Sequence, residues 1–261
     1  TWKYGYATFE FDISDLVKAG TNEILVIAVY QNCNTRWYSG AGIFRDVHFI
    51  STEKIFLVSD GTYIVNKKID DTNWTTDFSV EIAGKIDGHY IKTTIATKDG
   101  TILAESSQKI IPQAYSIEET EYLHKTVCGI KNYELSKTTE TFKIQNPILW
   151  DIENPYFYIA KTQLFDKNGN EIDSITEHCG YKFFNFDCNN GFFFFFRHVK
   201  IFGACEHHDF GALGAAFDKN ALKRRFLKLK KMGINAIRCS HNPPAKDWMN
   251  LADEMGLLID H

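Results

Sequence analysis

The chain has 261 residues, 44% of them hydrophobic and 15% aromatic, with 29 Lys and Arg set against 33 Asp and Glu. That length calls for about two domains, and the aromatic content excludes a disordered chain. A formal net charge of −4 with no basic stripe excludes nucleic acid as a partner, and the longest aromatic run, Phe192 to Phe196, is too short to span a bilayer.

From Tyr4 to Ile13 apolar and polar residues alternate, with Ala7, Phe9, Phe11 and Ile13 on one face, which predicts a half-buried strand. Two more strands are expected over Glu23 to Tyr30 and Ile43 to Ile50, after the turn at Lys18 to Asn22 and a Gly-rich loop. Three strands make an incomplete sandwich whose partners are expected upstream of Thr1, and Thr1 to Tyr6, with neither a Met nor a signal pattern, read as mid-domain sequence.

Between Lys54 and Ile175 short β-patterned runs recur: 54–65, 78–82, 90–96, 102–111, 122–130, 138–144, 156–165 and 171–175. Asp60-Gly61, Asp87-Gly88, Asp99-Gly100 and Asn168-Gly169 punctuate them with hairpin chemistry. An Ig-like sandwich is expected. Next, Asn190-Gly191 is followed by five Phe, which cannot all face a core because a strand alternates.

After Val199 the period becomes helical. Asp218 is the expected N-cap of a helix ending at Gly233, Ile234–Cys239 a short strand, Pro243 or Pro244 the start of a second helix ending at Gly256, and Leu257–Asp260 another strand. This is the opening of an α/β unit, with a (β/α) barrel as one completion. The Lys-rich stretch from Lys223 to Lys231 reads as a solvated helix face, and the six scattered cysteines read as free thiols.

Four stretches resemble retaining glycoside hydrolases of family 2, of the β-galactosidase type: Arg36-Trp-Tyr-Ser-Gly-Ala-Gly-Ile-Phe-Arg-Asp46, Asn146-Pro-Ile-Leu-Trp-Asp-Ile-Glu-Asn-Pro-Tyr156, Cys205-Glu-His-His-Asp-Phe-Gly-Ala-Leu-Gly214 and Asn235-Ala-Ile-Arg-Cys-Ser-His-Asn-Pro-Pro244. The resemblance implies a mostly β multi-domain chain: the end of a sugar-binding jelly roll over 1–51, an Ig-like β-sandwich over 52–178, and an incomplete (β/α)8 TIM barrel of about three strands and two helices over 179–261. It also implies hydrolysis of terminal β-galactosides through a pair of carboxyl groups about 5 Å apart. Both belong to later barrel strands, so no residue here is assigned as acid/base or nucleophile and the chain alone is expected to be inactive. Two departures stand out: the five Phe replace a Leu-Asn-Gly-Lys type of turn, and His261 follows Asp260 where the family has Glu.

Substrate contacts are expected from the strand ends and from one loop. His241 is the leading candidate, since the resemblance implies that the His at its position reaches the sugar, and a neutral imidazole suits a hydroxyl because it both donates and accepts. Asn242, Arg238, Glu206, His207 and Asp260 stand at matching positions, and Arg36, Trp37 and Tyr38 lie on a loop that the resemblance directs into the barrel mouth. The blander readings are a helix-capping His241, edge packing for the loop, and mutual satisfaction of the groups from Cys205 to Asp209. A metal site in that last cluster is disfavoured, because adjacent strand residues face opposite ways. No cofactor is expected within the chain, although the resemblance extends to Mg or Na in full-length relatives. The expected partner is a β-galactoside or related oligosaccharide, with neither nucleic acid nor membrane and a homo-oligomeric full-length protein. The alternative is a non-catalytic β-sandwich that binds carbohydrate or serves a structural role.

Overall fold

The computed structural model describes residues 4–30, 41–110, 113–115 and 133–261. Its largest unit is a sandwich of two four-stranded antiparallel sheets. One is ordered β1-β2-β6-β5, with β1 Phe56–Lys68, β2 Asn73–Ala83, β5 Gln113–Ala114 and β6 Leu135–Gln145. The other is ordered β4-β3-β7-β8, with β3 Tyr90–Ala96, β4 Ile102–Lys109, β7 Tyr158–Phe165 and β8 Glu171–Cys179. Along β2, β3 and β7 every second residue is buried, and Trp74, Phe78, Ile82, Ile91, Ile95, Leu164 and Tyr181 meet in one core. The period-2 pattern that predicts strands is thus the pattern that fills the space between the sheets. The run expected at 122–130 lies outside the described residues.

The strands expected over 4–13, 23–30 and 43–50 are not formed: described residues 4–30 and 41–54 take part in no β-ladder. Ile24, Leu25, Ile27 and Val29 are 72–82% exposed, as are Val47 and Phe49 at 78% and 75%. Alternation specifies which face a strand would bury, but a strand exists only when a neighbour takes its backbone N–H and C=O groups.

A third, small sheet is ordered β11-β10-β9, with β9 Phe184–Asp187, β10 Gly191–Phe194 and β11 Arg197–His198. The five Phe are shared between strand and turn. Phe192 and Phe194 point inward, against Trp150 and Leu258, while Phe195 and Phe196 form the two-residue hairpin loop at φ of 48° and 63°. That is a turn of the I′ kind, whose two central positions suit Asn and Gly and strain bulky side chains. The hairpin that the resemblance implies therefore persists without its usual turn residues.

The last unit is a parallel sheet ordered β12-β13-β14, comprising β12 Gly203–Glu206, β13 Ala236–Cys239 and β14 Leu258–Asp260, with helices α1 Lys219–Lys231 and α2 Lys246–Met255 between successive strands. Asp218 caps α1 through a bond from the Ala221 amide, Gly233 follows it at φ 87°, and Gly256 ends α2 in the left-handed region. Two details depart from expectation. Helix α2 starts at Lys246 rather than at Pro243 or Pro244: Asn242 and Pro243 each precede a proline, which drives them to extended backbone, and Ala245 is itself extended as the N-cap. The cationic face of α1 is also only partly solvated: Lys230 reaches the carbonyls of Met255 and Ile152, and Arg225 turns toward β12.

Trp150 joins the two larger units. It is 2% exposed, packs outside the sandwich core against Phe192 and Phe194, and donates its indole N–H to the Asp253 carbonyl of α2 at 2.8 Å. Tyr156, by contrast, packs on the sandwich core itself. Lys246 adds ion pairs to Glu177 at 2.7 Å and Asp60 at 3.1 Å, and a Cβ on Gly256 would stand 2.1 Å from the Ile152 carbonyl oxygen.

The hairpin turn generates a prediction. Replacing Phe195→Asn together with Phe196→Gly relieves two left-handed bulky residues but gives up the packing of Phe195 on Phe194 and of Phe196 on Phe183, for a net gain of about 1 kcal/mol. Urea denaturation measures it, and an unchanged or lowered midpoint would mean that no strain resides in the turn.

Candidate functional site

Parallel register sorts the side chains of the small sheet into two rows. Ile237, Cys239 and Ile259 face the helices, in a core with Leu222, Phe226 and Trp248. Cys205, Arg238 and Asp260 are aligned across the three strands and are all exposed. In a closed barrel the face away from the helices is the interior, and the C-terminal strand ends are where function sits. Arg238 Nε lies 3.6 Å from Asp260 Oδ2 on that face.

Glu206 is paired in register with Cys239 and reaches the helix side, where Arg225 holds it at 2.7 Å. The same guanidinium donates to the Asp209 carbonyl and lies over the Phe210 ring. Burial raises the Glu206 pKa, an effect that the neighbouring Arg225 charge opposes. The geometry makes Glu206 a tie between β12 and α1.

His207, His208, His241 and Asn242 occupy the loops directly after β12 and β13. The His207 and His241 rings stand edge to face with centroids 6.3 Å apart, and His241 is exposed. His208 is buried instead, between Tyr6 at 5.2 Å and Trp248 at 5.6 Å, and its Nε2 is 2.9 Å from the Asn242 carbonyl. The acceptor there is a carbonyl, so the proton resides on Nε2. Burial lowers the His208 pKa, and the nearby Arg45 charge lowers it further.

A second set of contacts comes from the N-terminal segment. The Tyr4 hydroxyl donates to Asn242 Oδ1 at 2.8 Å, Arg45 donates to the Pro243 carbonyl at 2.6 Å and to the Tyr6 carbonyl at 2.7 Å, and the Phe217 amide donates to the Phe44 carbonyl at 2.9 Å. Sequence reasoning singled out the motif containing Arg45 but not Arg45 itself, nor Tyr4 or Arg225, and it weighed His208 only as one member of the Cys205 to Asp209 cluster. No spacing rule could join residue 45 to residue 243. Arg36, Trp37 and Tyr38 lie outside the described residues.

Six of the expected contact residues are thereby located. His207, His241 and Asn242 stand at the strand ends, Arg238 and Asp260 line the open face beneath them, and Glu206 is turned toward α1. Among the described residues no three His, Cys, Asp or Glu side chains are gathered as they would be around a metal ion. Cys179, Cys188, Cys205 and Cys239 are free thiols.

Comparison with known proteins agrees with this architecture. Residues 59–182 match glycosyl hydrolases family 2, and residues 188–260 match the TIM barrel domain of the same family. A β-galactosidase of Bacteroides ovatus is 32% identical over 98% of the chain, and a β-glucuronidase of Bacteroides fragilis is 28% identical over 97% of it. The chain spans 28% and 36% of those two proteins. A family 2 member from Bacteroides cellulosilyticus superimposes with a TM-score of 0.72 at 28% identity, over 89% of this chain and 30% of that one.

The buried His208 gives a test by pH. A base whose folded pKa lies below its ordinary value of 6.5 contributes stability that is complete above 6.5 and lost as pH falls through the lower folded value. The urea midpoint of the chain should therefore drop on acidification from pH 7 through that window. His208→Gln keeps a donor toward Asn242 and should flatten the profile. Parallel profiles for the two proteins would show that His208 does not titrate in this way.

Proposed function

Because the chain belongs to glycosyl hydrolases family 2, we propose that its strand-end surface recognises the terminal pyranose of a β-galactoside within a retaining glycoside hydrolase. In this reading residues 1–51 belong to a sugar-binding module, 52–178 to an Ig-like spacer and 179–261 to the opening of the catalytic barrel. Retaining hydrolysis needs two carboxyl groups about 5 Å apart across the scissile bond. The proposal gives these residues recognition and leaves the carboxylate pair to later barrel strands.

The observation that carries the reading is the exposed Arg238 and Asp260 row beneath His241 and Asn242 at the strand ends. Sugar hydroxyls are donors and acceptors at once, and this set offers both: the guanidinium and amide donate, the carboxylate accepts, and a neutral imidazole does either. The charge arrangement favours a neutral sugar over a uronate. On the open face Arg238 stands beside Asp260, so its charge already faces a carboxylate that a glucuronate would have to displace. The name of the Bacteroides ovatus relative, a β-galactosidase, supports the same choice.

Isothermal titration of the chain with methyl β-D-galactopyranoside and with methyl β-D-glucuronide tests the proposal. The galactoside should bind more tightly by about tenfold or more, and His241→Ala should weaken it by about tenfold, the cost of roughly one hydrogen bond. Equal affinity for the two sugars, or undiminished binding by the variant, contradicts the assignment. Turnover of p-nitrophenyl β-D-galactopyranoside by the pure chain would contradict the division of labour.

A further inference from the structure

The loop that carries His241 is not held by its own sheet alone. Three successive residues, His241, Asn242 and Pro243, leave the end of β13, and the polar groups of the last two are taken up from elsewhere. The Pro243 carbonyl accepts from Arg45, Asn242 Oδ1 accepts from Tyr4, and the Asn242 carbonyl meets His208. Two of these three supports come from the N-terminal segment, some 200 residues earlier in the chain.

Arg45 is built for this position. Its guanidinium is half-buried and donates to two main-chain carbonyls belonging to different parts of the protein, Tyr6 at 2.7 Å and Pro243 at 2.6 Å. The Tyr6 and Phe44 rings flank it at 5.8 Å and 5.4 Å, and Tyr6 in turn packs on His208. A planar fork reaches two acceptors at fixed angles, which a single ammonium cannot do. Because both acceptors are main-chain atoms, the contact fixes where the backbone runs. With its carbonyl oxygen engaged by Tyr4, the Asn242 side chain keeps its NH2 group in a set direction.

We infer that Arg45, assisted by Tyr4, is a positioning residue that orients the His241–Asn242 loop for sugar binding, so that the N-terminal module sets the affinity of the barrel's strand ends. This rests on the galactoside reading for its ligand, though the positioning itself is visible without one. The segment's role is then to place a binding loop, independently of whether its own surface touches sugar. Arg45 touches no reacting atom in this account.

The experiment uses the full 261-residue chain and three variants: Arg45→Met, which keeps length and removes the donors, Arg45→Lys, which keeps the charge without the fork, and Tyr4→Phe, which removes one hydroxyl. Two readouts are taken. Without ligand, the Asn242 side-chain amide and His208 imidazole resonances should move in Arg45→Met, and the Asn242 amide should move in Tyr4→Phe. With isopropyl β-D-thiogalactoside, the Kd should rise by about tenfold in Arg45→Met, by less in Arg45→Lys, and about threefold in Tyr4→Phe. Circular dichroism confirms that each variant is folded, and Tyr4→Phe is conservative enough to keep the test open if Arg45→Met does not fold. Wild-type resonances for Asn242 and His208 in the variants overturn the inference, as does an unchanged Kd. If the unmodified chain does not bind the thiogalactoside, the sugar reading fails, while the resonances still decide whether Arg45 positions the loop.

Discussion

A three-stranded parallel sheet has two open edges and little core, so it depends on what it is docked to. Here the docking runs through Trp150. Its indole N–H reaches the Asp253 carbonyl in the last turn of α2, its ring covers Phe194, and the following residues bring the Ile152 carbonyl against Gly256 and Lys230. At Gly256 two demands coincide, since the left-handed backbone that ends α2 and the close approach of Ile152 both exclude a side chain. The sandwich thus fixes the end of α2 and with it the start of β14, which carries Asp260.

The strand ends inherit their geometry from two directions. From the sandwich side, Trp150 and Lys246 settle where α2 lies. From the N-terminal side, Tyr4 and Arg45 settle where the loop between β13 and α2 lies. The prolines of that loop link the two effects: they keep Asn242 and Pro243 extended ahead of α2 and leave the Pro243 carbonyl outside the helix, available to Arg45. In the proposed reading, a loop held at both its carbonyls and its side-chain amide presents the His241 imidazole with little freedom left to lose on binding sugar, which is how preorganisation favours affinity.

Much of the fold was legible because local rules and tertiary needs agree. Alternation located the sandwich strands, Asp218 and Gly233 bounded α1, and Gly256 ended α2. The misreadings have specific causes. Residues 23–30 carry a strand pattern but no neighbour to pair with among the described residues, and propensity alone forms no ladder. The run of five Phe does not all face a core, as alternation requires: two of them enter it and two accept strained turn positions, so the hairpin forms without the turn residues that the resemblance implies. Of the site, the strand-end residues followed from motif position. The side of the sheet each would face did not: Glu206 and Arg238 sit at similar places in their motifs, but register turns one to α1 and the other to the open face. Arg45, Tyr4 and His208 act across distances that no sequence spacing records.

The central claim is that sugar recognition belongs to the ends of β12, β13 and β14. Mapping amide and side-chain chemical shifts of the labelled chain during titration with methyl β-D-galactopyranoside tests it most directly. The account predicts perturbations concentrated at His207, Arg238, His241, Asn242 and Asp260, with the Ig-like sheets silent. Perturbations centred on the sandwich strands, or a titration that moves no resonance at the strand ends, would contradict it.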